Sequence, residues 1–118
     1  MVFSALIRFV YLCSMIIYNV TVSIDQAVEQ DWLNWMRVQH IPAVLQTGCF
    51  LESRLSRING EEDGGCTYSV MYLAPDQASL DRYQTEFAPA LQQDHAALYQ
   101  GRFAAFRTTL QLIEEFKR

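Results

Sequence analysis

Two histidines, His40 and His95, are the side chains of this sequence whose ordinary pKa lies closest to neutral pH. His40 falls at the end of a predicted helix, two turns after Trp32 and just before Pro42. An imidazole there could act as a general base if it reaches a cavity, or could bond to carbonyls at the helix end. We take His40 as the candidate catalytic residue. We expect His95 to lie on the outer side of its helix and to be structural or inert.

Two tryptophans and one arginine are the next candidates for contact with a ligand. Trp32 and Trp35 could form one wall of a site for a planar molecule, although core or interface packing is the competing interpretation. Arg107 could hold a carboxylate or phosphate through two parallel hydrogen bonds, or could pair with Glu52. The candidate ligand-binding residues are Asn19, Thr21, Trp32, Trp35, Ser69 and Arg107.

No motif for a metal or a cofactor accompanies these residues. The two histidines lie far apart in the sequence, and Cys49 and Cys66 lack the spacing of metal ligands. The sequence contains neither G-x-G-x-x-G nor G-x-x-x-x-G-K, so no nucleotide-phosphate loop is predicted. We therefore predict a site without metal and without cofactor.

Composition and charge narrow the class of protein that could carry such a site. The 118 residues suffice for one domain, and 51% of them are hydrophobic, which excludes disorder as the main interpretation. Nine Lys and Arg against thirteen Asp and Glu give a net charge of −4. This balance argues against a function in which bulk positive charge holds a nucleic acid, so no nucleic-acid partner is expected.

Residues 1–14 differ from the rest of the chain. They are strongly apolar, but Arg8 interrupts them, so no stable membrane insertion is expected. No cation precedes the apolar stretch and no small-residue cleavage site closes it, which argues against an export signal. We predict that Met15 is the physiological start, that residues 15–118 form a single domain, and that the protein is cytoplasmic. A short, poorly cleaved export signal is the alternative.

The elements that must position the candidate residues follow from hydrophobic periodicity and from turn residues. Asp25 or Ser23 can cap the first helix, and Pro42 predicts a break at Ile41. In order, the predicted elements are a strand at 16–24, a helix to 41 continuing at 42–46, a strand at 49–58, a strand at 66–73, a helix from Pro75 with a second piece from Pro89 to about 101, and a strand at 102–113. This βαββαβ order predicts an α+β, ferredoxin-like fold: a four-stranded antiparallel sheet with both helices on one face.

The helices leave one side of the sheet uncovered, and we call this side the open face. Because successive side chains of a strand point to opposite faces, their alternation (parity) predicts which residues lie on it. On the first strand Tyr18 and Val20 are predicted to face the helices, which turns Asn19 and Thr21 outward. The last strand is predicted to turn Ala104, Phe106, Thr108, Leu110 and Leu112 toward the helices. The predicted open face comprises Asn19, Thr21, Ser69, Met71, Arg107, Thr109 and either Arg54 or Arg57. Because hydroxyls outnumber charges there, we expect a second subunit to cover part of it.

Several segments together resemble a bacterial family of small domains of unknown function, of the DUF4286 type. They are Met15-Ile16-Ile17-Tyr18-Asn19-Val20-Thr21, Trp32-x-x-Trp35-Met36-x-x-x-His40-Ile41-Pro42, Thr47-Gly48-x-Phe50, Thr67-Tyr68-Ser69-Val70 and Phe103-x-x-Phe106-Arg107-Thr108. The resemblance spans nearly the whole chain from Met15 and implies a fold, but no reaction. The layout is also similar to the wider group of dimeric α+β barrels, in which two sheets face each other and enclose a cavity.

That wider group includes haem-degrading enzymes, which combine an Asn of the first strand with a Trp and a His. Asn19, Trp32 and His40 are residues of these types, but Trp32 and His40 share one helix, unlike the arrangement in those enzymes. We therefore expect no haem.

Three functions remain open at this point. The first is a homodimer that binds a small anionic or aromatic ligand between its facing sheets. The second is a cofactor-independent oxygenase or isomerase of the dimeric barrel type, with His40 as the base. The third is a non-enzymatic domain that acts through contacts with other proteins. Fold analogy by itself cannot choose among them.

Overall fold

The computed structural model describes residues 13–60 and 65–118. The predicted extension, residues 1–14, therefore lies outside the described residues except for Cys13 and Ser14. These two residues contact the domain: the Ser14 hydroxyl donates a hydrogen bond of 2.9 Å to the carbonyl of Pro75, and the Cys13 carbonyl accepts one from Gln111.

The sheet has four antiparallel strands in the order β2-β3-β1-β4, as the ferredoxin-like prediction requires. Their bounds are β1 Ile16–Asp25, β2 Glu52–Arg57, β3 Gly65–Ala74 and β4 Phe103–Gln111. β1 is central and pairs over nearly its full length with both β3 and β4. The second strand is shorter than predicted, because Cys49 and Phe50 leave the sheet and bury their side chains in the core instead.

Two helical segments cover one face of this sheet. The first consists of α1 (Glu29–Trp35) and α2 (Ile41–Gln46), and the second of α3 (Gln77–Arg82) and α4 (Ala88–Tyr99). A short 3₁₀ turn, Gln26–Val28, leads into α1, and Asp25 caps it by accepting a hydrogen bond of 2.9 Å from the amide of Ala27. Within residues 13–60 and 65–118 no helix is long and apolar enough to cross a membrane.

The predicted break at Ile41 was wrong, because the helix widens there instead of ending. Met36–His40 forms a π-helical turn, in which the amide of Ile41 bonds to the carbonyl of Met36 five residues earlier. Tyr83–Phe87 forms a second such turn ahead of Pro89. A proline in a helix lacks its amide hydrogen and crowds the carbonyl four residues before it. The wider turn two residues before each proline accommodates that crowding while the chain stays helical.

Strand pairing confirms the predicted parity on β1 and β3 and corrects it on β4. β1 turns Tyr18 and Val22 toward the helices, and β3 adds Val70 opposite Val20. On β4, Arg107 lies opposite Val20 and therefore shares the helix-covered side. The prediction that Arg107 and Thr109 belong to the open face was therefore wrong.

The error on β4 has a physical cause: its more apolar set of side chains is the one that no helix covers. Ala104, Phe106, Thr108 and Leu110 lie on the open face, and Phe106 is 63% exposed. On β2, Arg54 pairs with Met71 and so is the arginine on the open face, whereas Arg57 is opposite Tyr68 on the covered side.

Gly101, which follows α4, has a backbone conformation that can be tested by substitution. Its φ is +76°, a region that side chains with a Cβ disfavour. We expect Gly101→Ala to lower the free energy of unfolding by about 1 kcal/mol, measured by urea denaturation. Gly60→Ala is the matched control, because Gly60 is exposed and has no positive φ. An equal loss in both variants would contradict the conformational explanation.

Candidate functional site

A cavity of about 60 Å³ lies between the sheet and the two helical segments, with space for about four water molecules. β1, β3 and β4 form its floor, and residues from both helical segments form its roof. The lining residues are Tyr18, Val20, Val22, Met36, His40, Val70, Tyr72, Tyr83, Gln92, His95, Phe103, Ala105 and Arg107. The sequence predicts a cavity between the facing sheets of two subunits, and that prediction concerns an assembly of two chains. The cavity described here lies within one chain, on the helix side of its own sheet.

Three tyrosines supply flat walls and hydroxyl groups. The ring centre of Tyr18 lies 5.9 Å from that of Tyr83 and 6.2 Å from that of Tyr72. Burial raises the pKa of Tyr72 and of Tyr83 above the ordinary value, so both hydroxyls stay protonated at neutral pH and can donate hydrogen bonds.

His40, the candidate base, lines this cavity. Its ring stacks on Trp35 at 4.8 Å, and together they also line a groove on the outer surface between the helical segments. Burial lowers the pKa of His40 from the ordinary 6.5 to about 4, against the opposing effect of Asp94. The imidazole is therefore neutral at pH 7. The predicted general-base role remains a prediction.

The expectation that His95 faces outward was wrong. His95 is only 8% exposed, and its Nε2 accepts a hydrogen bond of 2.9 Å from the Trp32 indole. Its ring centre lies 5.9 Å from that of His40 and 4.4 Å from that of Phe103. Burial, and then the charges of His40 and Arg107, lower the pKa of His95 to about 4. Two neutral imidazoles thus adjoin the same small space.

Arg107 also lines the cavity, but from the opposite side of β4 to the one predicted. Arg107 is exposed, so we place its guanidinium where the cavity opens to solvent. Its positive charge contributes to the lowered pKa of His95 and opposes the rise in the pKa of Tyr83. Arg107 is therefore within electrostatic reach of both side chains. The rim of the cavity is therefore its positive part.

The remaining candidates are separated from this cavity. Trp32 is fully buried and is not a lining residue of the cavity, but it donates a hydrogen bond to His95, which is one. Asn19, Thr21 and Ser69 lie on the other side of the sheet, where Asn19 donates to the Thr21 hydroxyl at 3.1 Å and accepts from Ser69. The sheet thus divides the predicted ligand-binding set into two groups.

Sequence reasoning missed the three tyrosines and His95 as cavity residues. Leu91, His95 and Tyr99 recur every four residues, and this spacing could have placed His95 on the buried stripe of α4. Parity had assigned Tyr18 to the covered face, but neither it nor the other two tyrosines had been considered for chemistry. In the described part of the chain no group of three or more potential metal ligands occurs.

Comparison with known proteins identifies the family. The family model of a domain of unknown function, DUF4286, matches residues 15–113. The chain belongs to the DUF4286 family. No curated protein sequence matches it.

Solved structures show the fold of this DUF4286 domain but, at the identities found, nothing about its reaction. SnoaB, a cofactor-independent oxygenase from Streptomyces nogalater, superimposes with a TM-score of 0.65 at 10% identity, over 89% of this chain and 99% of that protein. An EthD-like protein from Ralstonia eutropha gives 0.63 at 12% identity, over 87% and 96%. A dimeric ferredoxin-like protein from an uncultured marine organism gives 0.58 at 10% identity, over 87% and 99%. The fold is that of the ferredoxin-like dimeric α+β barrel proteins.

The two imidazoles of the DUF4286 cavity should make folding sensitive to mild acid. Below pH 6.5 the unfolded chain binds protons at His40 and His95, whereas the folded chain does so only near pH 4, so stability falls as the pH drops between these values. Asp94 faces His40, and Arg107 faces His95. We expect the free energy of unfolding to drop by about 2 kcal/mol from pH 7 to pH 5, about half of what two fully enclosed rings would give.

Urea denaturation at the two pH values measures this loss. The double variant His40→Gln with His95→Gln serves as the control, because it leaves no group in the cavity that titrates in this range. Equal stability of the unaltered chain at pH 7 and pH 5 would show that the two imidazoles bind protons in the folded state as readily as in the unfolded chain, which would contradict their lowered pKa.

Proposed function

We propose that this DUF4286 domain is a homodimer that binds a small organic anion whose apolar part is short enough for a cavity of about 60 Å³. The observation that carries the proposal is the cavity itself: aromatic walls and two neutral imidazoles inside, and the Arg107 guanidinium at its rim. A few convergent polar groups in an apolar pocket are typical of ligand sites, and the small volume of this cavity restricts its ligand to a few heavy atoms.

The distribution of charge gives the orientation of the ligand. Inside the cavity the tyrosine hydroxyls and imidazoles are uncharged at pH 7, so a buried carboxylate would find no cation there. At the rim Arg107 can bind a carboxylate through two hydrogen bonds while water screens part of the charge. The anionic end therefore points outward to Arg107, and the apolar end inward.

A comparison of acids with their amides tests this orientation. We expect NMR titration to show that acetate and propionate shift cavity resonances, with acetamide and propionamide weaker by about tenfold. Arg107→Gln should remove the preference for the acids. Arg54→Gln is the matched control, since Arg54 lies on the open face. Equal binding of acid and amide by the unaltered chain would refute an anion site.

The second subunit is proposed to cover the open face. Phe106 and Leu110 are exposed there on β4, and neither is covered by a helix of its own chain. The central part of this face carries hydroxyl and amide groups that bond to one another, such as Asn19 with Thr21 and Ser69, and so need no solvent. An apolar sheet face with its polar groups already paired suits contact with another sheet.

Light scattering on the full chain tests the dimer. We expect a dimer at micromolar concentration and a monomer for Phe106→Lys, because the substitution would bury a charge between the sheets. Val38→Lys is the control: Val38 is 64% exposed, close to the 63% of Phe106, but lies on a helical segment. If Val38→Lys dissociates the dimer and Phe106→Lys does not, the interface is on the helices. A monomeric unaltered chain would favour the interaction-domain hypothesis.

An enzyme acting through His40 is the second candidate function. His40 has no hydrogen-bond partner among the described residues and adjoins the cavity as a neutral ring, so it could take a proton from a bound acid with an activated C–H bond. Pyruvate is a suitable probe, since loss of a methyl proton gives its enolate. An isomerase-type enzyme would accelerate exchange of the methyl protons in D₂O, and His40→Gln would abolish that exchange. Binding without exchange would leave a ligand-binding protein.

A further inference from the structure

The hydrogen bond between Trp32 and His95 determines where the proton of the His95 ring resides. An indole N–H can only donate, so Nε2 of His95, 2.9 Å away, must accept. Nε2 therefore carries no hydrogen. A neutral imidazole has one N–H, which leaves the proton on Nδ1.

Packing keeps both partners of this hydrogen bond in place. Trp32 is fully buried, and its ring centre lies 5.1 Å from that of Tyr68 on β3. His95 meets the ring of Phe103 edge-on at 4.4 Å and lies 5.6 Å from Tyr99. A flipped ring would direct a C–H group at the indole N–H and leave that donor without a partner in the core, which is costly.

The opposite nitrogen of His95, Nδ1, is left available. No hydrogen bond within residues 13–60 and 65–118 involves it. It is not fully enclosed either, because Ser53 Oγ is the only fully enclosed side-chain nitrogen or oxygen of those residues without a partner. His95 is 8% exposed and lines the cavity, where a bound molecule could supply the acceptor that Nδ1–H lacks.

We propose that Trp32 is a positioning residue that holds His95 as an Nδ1–H donor, and that this donor binds a neutral oxygen of the ligand while Arg107 binds its carboxylate. The inference rests on the proposed function and narrows its ligand class to small acids with a second oxygen acceptor beside the carboxylate. The 2-oxo acids are the simplest members. An acid that lacks the second oxygen would leave Nδ1–H unpaired on binding.

The tautomer can be measured without any ligand. We expect ¹⁵N-detected imidazole NMR of the full chain at pH 7 to show a protonated Nδ1 and an unprotonated Nε2 for His95. Trp32→Phe should yield a mixture of tautomers. Trp35→Phe is the matched control, because the Trp35 ring lies 5.6 Å from His95 without bonding to it. A proton on Nε2 in the unaltered chain would overturn the inference.

The ligand preference is measured with pyruvate and propionate, acids of the same length that differ in the keto oxygen. We expect the unaltered chain to bind pyruvate about fivefold more tightly, the effect of one neutral hydrogen bond, and Trp32→Phe to lose this preference while still binding propionate. Equal affinities in the unaltered chain would refute the role of His95 and leave the anion site standing. If neither acid binds, the proposed function fails, and the ligand role of His95 fails with it.

A second pair of variants covers the case in which Trp32→Phe does not fold. The Gln side chain has an oxygen that can accept from Trp32 and an amide group that can donate to the ligand. His95→Gln should therefore keep the preference for pyruvate, whereas His95→Met should lose it. Loss of the preference in both variants would contradict a donor role for this side chain.

Discussion

The Trp32 side chain connects three elements of the fold, namely α1, β3 and α4. Its indole belongs to α1, packs on Tyr68 of β3, and donates its only hydrogen bond to His95 of α4. Each contact depends on the others, because the N–H group has no water available in the core. The distance between the helical segments is thereby set at one end of the cavity. The position of His95, and through it the polarity of the site, follows from this one buried side chain.

Pro42 and Pro89, one in each helical segment, affect the same cavity through the helix backbone. Each is preceded by a π-helical turn, and these turns carry Met36 and His40 on one segment and Tyr83 on the other. Such turns are often found at functional sites, because they re-aim side chains relative to a regular helix. Here they direct an imidazole and a phenol into the cavity from opposite segments. The two irregular turns of the backbone therefore place polar side chains of the cavity.

The sheet separates two kinds of surface with different physical requirements. In the cavity on its covered side, the two imidazoles and the hydroxyls of Tyr72 and Tyr83 are uncharged at pH 7, and the positive charge of Arg107 remains at the solvent boundary. On its open face, the polar side chains at the centre satisfy one another while Phe106 is left exposed. The similar structures establish the fold and no more, so any reaction must be argued from these residues. The first surface suits a small ligand and the second a broad contact.

The element order and the covered face of β1 and β3 were determined by the sequence, because their alternating residues leave one parity that can form a core. The same reasoning placed His40 in the helical turn before Pro42, without showing which part of the protein its side chain faces. It failed on β4, where the apolar set lies on the open face, and at Pro42, where a wider turn replaced a break. The pairing of β4 with β1 places Arg107 on the side of the sheet that the helices cover. The packing of α1 against α4 places Trp32 next to His95. These are contacts between residues far apart in the chain, and local periodicity carries no information about which of them will meet.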